Sequence, residues 1–104
     1  MQVSVLYFAR CPNWREAGRR VRTALDRTGH PDTAVTFVPV ETDAEAAALG
    51  LRGSPTITVD GEDLFPAGPP PIGLSCRIYS TSHGPAGMPD HADLIAALRE
   101  RGTP

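Results

Sequence analysis

Apolar residues change period several times along this chain of 104 residues, and each change marks an element. From Gln2 to Phe8, Val3, Val5, Leu6, Tyr7 and Phe8 stand in near-continuous apolar order, the pattern of a strand covered on both faces in a parallel sheet. From Pro12 the spacing becomes helical. Trp14, Ala17 or Gly18, Val21, Leu25 and Thr28 recur on one face, Arg15, Arg19 and Arg22 share another, and Gly29 supplies a stop. Pro12 takes the first helical position, where its missing N–H costs nothing.

Residues 34 to 40, with Val35, Phe37, Val38 and Val40, read as a second strand, so the intervening helix makes a right-handed parallel crossover. Thr42-Asp43-Ala44-Glu45 fits the capping-box pattern and opens a short Ala-rich helix ending near Gly50. Ile57 to Val59 is a third strand closed by the turn dipeptide Asp60-Gly61. The Pro- and Gly-rich stretch from Phe65 to Gly73 carries no period, and Cys76-Arg77-Ile78-Tyr79 alternates as a fourth strand. Asp90 is the expected N-cap of a last helix whose inner face is Leu94, Ile95 and Leu98, with Gly102 just past its end. The order is strand, helix, strand, helix, strand, strand, helix, with no internal repeat: an α/β chain with a central four-stranded mixed sheet flanked by helices.

Length adds that residues 1–104 form one domain able to fold without staples, with a Pro/Gly-rich insertion at about 65–75. Net charge is -2 and no like-charged run exceeds the two residues of Arg19-Arg20, which argues against nucleic acid and against a polybasic membrane anchor. No basic leader is read at the N-terminus, and no apolar run approaches the roughly 18 residues of a membrane helix. The expectation is therefore a cytoplasmic monomer. In a reducing compartment two cysteines do not form a permanent staple, so each is either a small core residue or a chemical group.

Cys11 follows the first strand and stands at the start of the first helix. There, unpaired amides and about half a positive charge can lower a thiol pKa from about 8.5 to between roughly 3.5 and 7.5. Arg10 and Arg15 add cations nearby. Cys11 is thus the candidate nucleophile. Three residues later, where a dithiol site carries its second sulfur, this chain has Trp14, and an indole cannot resolve a mixed disulfide. Trp14 either belongs to the apolar helix face or walls the site. Release then falls to Cys76 or to a small external thiol. In strand register Cys76 and Ile78 share one face and Arg77 and Tyr79 the other, which leaves Cys76 open as either a structural or a resolving cysteine.

Cys11-Pro12 between strand and helix, with Gly53-Ser54-Pro55-Thr56 before the third strand, resembles the thioredoxin and glutaredoxin superfamily. More narrowly, Cys11-Pro12-Asn13-Trp14-Arg15, Val59-Asp60-Gly61 and Leu74-Ser75-Cys76-Arg77-Ile78-Tyr79 look like a small bacterial thioredoxin-like group, some members of which are labelled alkylmercury lyase-like. The resemblance implies a thioredoxin fold and a cis proline at Pro55 facing Cys11. It also implies a substrate-binding surface built from Pro12, Trp14, Ser54, Pro55 and Thr56, in which the Ser54 backbone pairs with extended substrate.

Three functions remain in view. The preferred one is a thiol–disulfide redox protein without a bound cofactor, acting on a substrate protein or a low-molecular-weight thiol through Cys11 and resolved by Cys76 or by a small thiol. The second is a soft-metal binder holding mercury or copper between two thiolates. Carbon–mercury cleavage would add a proton donor, for which Asp60 and Asp63 are near only in sequence. The third is a non-catalytic binding module with Trp14, Phe65 and Tyr79 as apolar contacts. His30, His83 and His91 lack zinc spacing with either cysteine, so no dedicated metal site is expected. The Arg stripe of the first helix reads as a solvated face, with attraction of an anionic thiol as its functional alternative.

Overall fold

In the computed structural model, which describes residues 1–66 and 73–102, β1 (Val3–Tyr7) is the inner strand on which the sheet is built. β1 pairs in parallel with β2 (Val35–Pro39), and Val3 to Tyr7 match Val35 to Pro39 one for one. Its other edge pairs antiparallel with a strand at Thr56–Val59. Both faces of β1 are covered. Val3 and Val5 enter one apolar cluster and Leu6 enters another, which is why the sequence shows a near-continuous apolar run there, interrupted only by Ser4, rather than strict alternation.

α1 (Trp14–Arg27) puts Val21, Ala24 and Leu25 into the first cluster, beside Leu94 and Leu98 of the last helix. Each large aliphatic side chain buried this way contributes about 1.5–3 kcal/mol relative to exposure. Gly18 is a close-approach residue: a Cβ there would lie 2.3 Å from the Phe37 ring, so the glycine lets that ring rest on the helix. α2 (Asp43–Leu49) covers the opposite face, where Ala46 joins Leu6, Val40 and Leu51. The N-cap half of the expected capping box forms, with Glu45 N–H donating to Thr42 Oγ1 at 3.1 Å, while the Glu45 carboxylate accepts from the Thr42 hydroxyl at 3.2 Å in place of the backbone N–H; Gly50 closes the helix at φ 77°.

After α2 come β3 (Arg52–Ser54), β4 (Thr56–Val59) and β5 (Glu62–Asp63). The main sheet has the order β2-β1-β4-β5 and is mixed, as expected. Asp60 and Gly61, at φ 53° and 83°, make the tight turn between β4 and β5. Beyond the insertion lie β6 (Gly73–Cys76), a β7–β8 hairpin (Tyr79–Thr81 and Gly84–Ala86), and α3 (His91–Gly102). The insertion expected at 65–75 falls largely on residues 67–72, outside the described residues. Among the described residues no helix is long and apolar enough to cross a membrane.

Two sequence expectations are corrected here. The fourth strand of the main sheet is the short return Glu62–Asp63, and the segment around Cys76 pairs elsewhere. The Asp60-Gly61 turn folds the chain straight back onto β4, with Leu64 N–H donating to the Ile57 carbonyl at 2.8 Å, so that edge is already taken. Instead β6 pairs in parallel with β3, setting Cys76 opposite Ser54. Helix α1 also starts later than Pro12. Cys11 N–H is committed to a turn with the Phe8 carbonyl at 2.9 Å, and Asn13, the N-cap, supplies the carbonyl for Ala17.

Candidate functional site

The end of β1 and the Gly53-Ser54-Pro55 corner meet through side-chain and main-chain bonds. Ser54 Oγ accepts from Phe8 N–H at 2.8 Å, which anchors the Phe8–Cys11 turn to the corner. Ser54-Pro55 is a cis peptide, and Gly53 stands at φ 91°. Thr56 Oγ1 donates to the Gly53 carbonyl at 2.6 Å and accepts from Arg52 N–H at 3.1 Å, so a single hydroxyl fixes the corner from inside. Ser54, Pro55 and Thr56 are all fully buried.

The cysteines are joined. Cys11 and Cys76 form a disulfide between residues 65 apart in sequence, with Cα atoms 5.7 Å apart. That span lies inside the range a disulfide can bridge. Cys11 lies two residues before the N-cap and is 2% exposed, whereas Cys76 is exposed. The alternation read from the sequence holds: Cys76 and Ile78 face out, while Arg77 and Tyr79 are buried.

The chain after Cys76 is locked under the site. Arg77 N–H donates to the Ser54 carbonyl at 3.0 Å. The Arg77 guanidinium, 7% exposed, donates to Asp63 Oδ2 at 2.8 Å and to the Phe65 carbonyl, and lies 4.5 Å over the Tyr79 ring. The carboxylate and carbonyl acceptors satisfy a cation whose burial would otherwise be costly. Tyr79 Oη donates to the Pro55 carbonyl, and the Phe65 ring meets Tyr79 edge-on at 5.6 Å. Burial raises the Tyr79 phenol pKa strongly; the Arg77 cation opposes this and Asp63 adds to it.

The predicted site residues therefore divide. Cys11, Ser54, Pro55, Thr56 and Cys76 belong to one cluster, but the three corner residues support it from below. Pro12 is exposed beside Cys11. Trp14 turns toward the sheet, stacked on Tyr7 at 4.0 Å between centroids and edge-on to Phe37 at 5.6 Å, with Arg15 4.7 Å above its ring. It lines a groove of about 720 Å3 between α1 and β2, floored by Trp14, Val35 and Phe37 and rimmed by Arg15, Arg19 and Arg22. Asp63 is bound to Arg77, and the exposed Asp60 accepts from Gln2 N–H through Oδ1 at 2.8 Å.

Sequence reading missed the Asp63–Arg77–Tyr79 network, since a lone arginine in an alternating strand reads as an outward residue. It also missed the β7–β8 hairpin, whose signal was Gly84 after Ser82-His83, at φ 96°. Among the described residues no group of three or more His, Cys, Asp or Glu is arranged to hold a metal. Comparison of the chain with protein-family models, with curated proteins and with solved structures finds no match.

Proposed function

We propose that this chain is a cytoplasmic, monomeric, thioredoxin-like thiol–disulfide redox protein in which Cys11 and Cys76 cycle between disulfide and dithiol. The observation that carries the reading is the bond between Cys11 and Cys76 at the Ser54-Pro55 corner. It answers the missing second cysteine of the helix start: the partner sulfur comes from a strand laid on the proline corner instead of from the next helical turn. The disulfide is then a transient state of a working pair, as reduced compartments require. Two electrons enter from two thiols and leave to a disulfide substrate, and no cofactor takes part.

The Arg-rimmed groove beside Trp14 supports a choice of partner. Its rim carries three guanidinium groups and its lining has no acid, although the whole chain has net charge -2. Arg22 is tied to Asp26 at 3.0 Å and to backbone carbonyls, Arg19 is exposed and paired with Glu16 at 3.6 Å, and Arg15 is exposed over the Trp14 ring. A substrate protein or small thiol bearing carboxylates complements such a surface and is steered toward it.

The test is equilibration of the purified protein in thiol–disulfide buffers, with acid quenching, alkylation and mass analysis. A working pair titrates between about -180 and -280 mV, and the wild type, unlike Cys11→Ser or Cys76→Ser, shuttles electrons from dithiothreitol to a disulfide substrate. A pair that stays oxidised below about -300 mV is a permanent staple, and the redox reading is then wrong.

A further inference from the structure

The two cysteines of the pair are unequally exposed. Cys11 is 2% exposed beneath the turn that starts α1, and Cys76 is exposed at the end of β6. Thiol–disulfide exchange requires an incoming thiolate to reach one sulfur from behind, in line with the bond that breaks, and it expels the other sulfur as thiolate. Only the exposed partner offers that approach. The expelled partner is best placed where negative charge is favoured. Cys11 stands just ahead of a helix N-terminus whose N-cap, Asn13, makes no side-chain bond to the first-turn amides, so those amides remain to stabilise an anion.

We infer that the roles of the pair are exchanged relative to a site in which the helix-start cysteine meets the substrate. Cys76 is the sulfur that bonds to substrate, and Cys11 is the internal resolving thiol. The inference rests on the redox reading above and deepens it.

The electrons balance in both directions. When the oxidised protein is reduced, a thiolate RS⁻ bonds to Cys76 Sγ and the Cys11–Cys76 bond breaks, leaving Cys11 as thiolate. A second thiolate then attacks the R sulfur, releases Cys76 as thiolate and leaves RSSR. When the reduced protein acts on a disulfide, Cys76 thiolate bonds to one substrate sulfur and expels the other. Cys11 thiolate next attacks Cys76 Sγ, frees the remaining substrate thiolate and restores the internal disulfide. Ile78, 67% exposed on the same face two residues beyond Cys76, adds an apolar contact for the chain that carries the substrate sulfur.

The experiment begins with oxidised wild type mixed with limiting 2-mercaptoethanol, quenched in acid, treated with N-ethylmaleimide and mapped by mass spectrometry. The mercaptoethanol adduct is expected on Cys76 and the maleimide on Cys11. In a second arm, reduced wild type is alkylated to less than one hit per molecule. Cys76 is expected to react at least about tenfold faster than Cys11, following access to the thiol. A third arm treats Cys11→Ser and Cys76→Ser with oxidised glutathione. The first is expected to accumulate a stable mixed disulfide at Cys76, the second to react slowly. An adduct on Cys11, or equal reaction at both cysteines, overturns the exchange of roles while leaving the redox cycle standing. Absence of any adduct in wild type, together with a pair that resists reduction, overturns the redox reading itself. The two wild-type arms keep the result decisive even where a serine variant fails to fold.

Discussion

The main chain of Arg77 is bonded to that of Ser54: the Arg77 N–H donates to the Ser54 carbonyl at 3.0 Å, one residue beyond the point where Cys76 stands opposite Ser54. This contact fixes the chain just after the exposed Cys76 against the proline corner. It means that the carbonyl of Ser54, whose backbone the resemblance assigns to pairing with extended substrate, is already occupied by the protein's own chain in the disulfide form. The position of Cys76 therefore depends on how closely two backbones can approach at Gly53.

Gly53 sits at φ 91°, and a Cβ there would lie 2.8 Å from Arg77 Cβ and 3.0 Å from its Cα. Gly53→Ala is expected to destabilise the oxidised protein by about 1–3 kcal/mol, from backbone strain with the clash added. It should also lower the fraction of disulfide formed in a fixed thiol buffer, because Arg77 and Cys76 must retreat from the corner. Urea unfolding and alkylation-mass analysis read the two effects separately.

Asp63 faces Arg77 across a bond of 2.8 Å, with the side chains 10% and 7% exposed. Removing the carboxylate leaves a buried guanidinium without its counter-charge, which costs about 3–5 kcal/mol. Asp63→Asn is expected to lose that much stability in denaturant titration. The double change Asp63→Asn with Arg77→Met is expected to recover part of it, since the unpaired charge is gone.

The disulfide closes a span of 65 residues. Chain entropy assigns such a loop about 4 kcal/mol, with measured values commonly lower. Reduction with dithiothreitol is expected to lower the unfolding free energy by about 2–4 kcal/mol, and Cys11→Ser with Cys76→Ser by a similar amount. Far-ultraviolet circular dichroism is expected to show the reduced protein still folded, because the two apolar clusters contain neither cysteine.

Tyr79 gives the fold an alkaline limit. Its folded pKa is raised above the ordinary phenol value of 10.0, chiefly by burial. A raised pKa means stability that is complete below pH 10 and declines as pH rises further, where the unfolded phenol ionises and the folded one does not. Urea midpoints measured from pH 8 to 11 should therefore fall more steeply in wild type than in Tyr79→Phe. At pH 8 the variant is expected to be weaker by about 1–3 kcal/mol, because the Pro55 carbonyl loses its donor. Equal slopes would show that the phenol ionises freely in the fold.

At the acid end, Asp90 is the group to watch. The Ser82 hydroxyl, 2.9 Å from its Oδ2, is the main cause that holds its carboxyl below the usual value; desolvation opposes it, and the Ser82 N–H, His83 and Arg20 add to the lowering. A lowered pKa gives a contribution present above the ordinary aspartate value and lost as pH falls through the folded one. Chemical shifts of Ser82 amide and Asp90 carboxyl, followed from pH 6 to pH 2, are expected to show a midpoint below that of an unstructured aspartate.

Much of the framework was legible in the order of residues. β1 was visible because a strand covered on both faces needs an apolar residue at nearly every position, and Val3, Val5 and Leu6 do go to two separate clusters. Thr42 with Glu45, and Asp60 with Gly61, were visible because a cap and a tight turn are decided within four residues. The alternate burial of 76–79 matches the expected pattern, although the expected fourth strand is broken there: β6 ends at Cys76, β7 begins at Tyr79, and Arg77 and Ile78 lie between them.

What period cannot fix is which side the rest of the chain will cover. Arg77 went inward because Asp63, the Phe65 carbonyl and the Tyr79 ring were assembled there from distant positions, and Cys76 was thereby turned outward. Strand pairing was likewise undecided by sequence: β5 took the free edge of β4, so β6 had to settle on β3 beside the proline corner. The sequence alone determined that two sulfurs exist, one of them between a strand and a helix. That they meet, and that the one nearer the helix is the buried one, was decided by competition for sheet edges and by burial of a charge, which are properties of the folded whole.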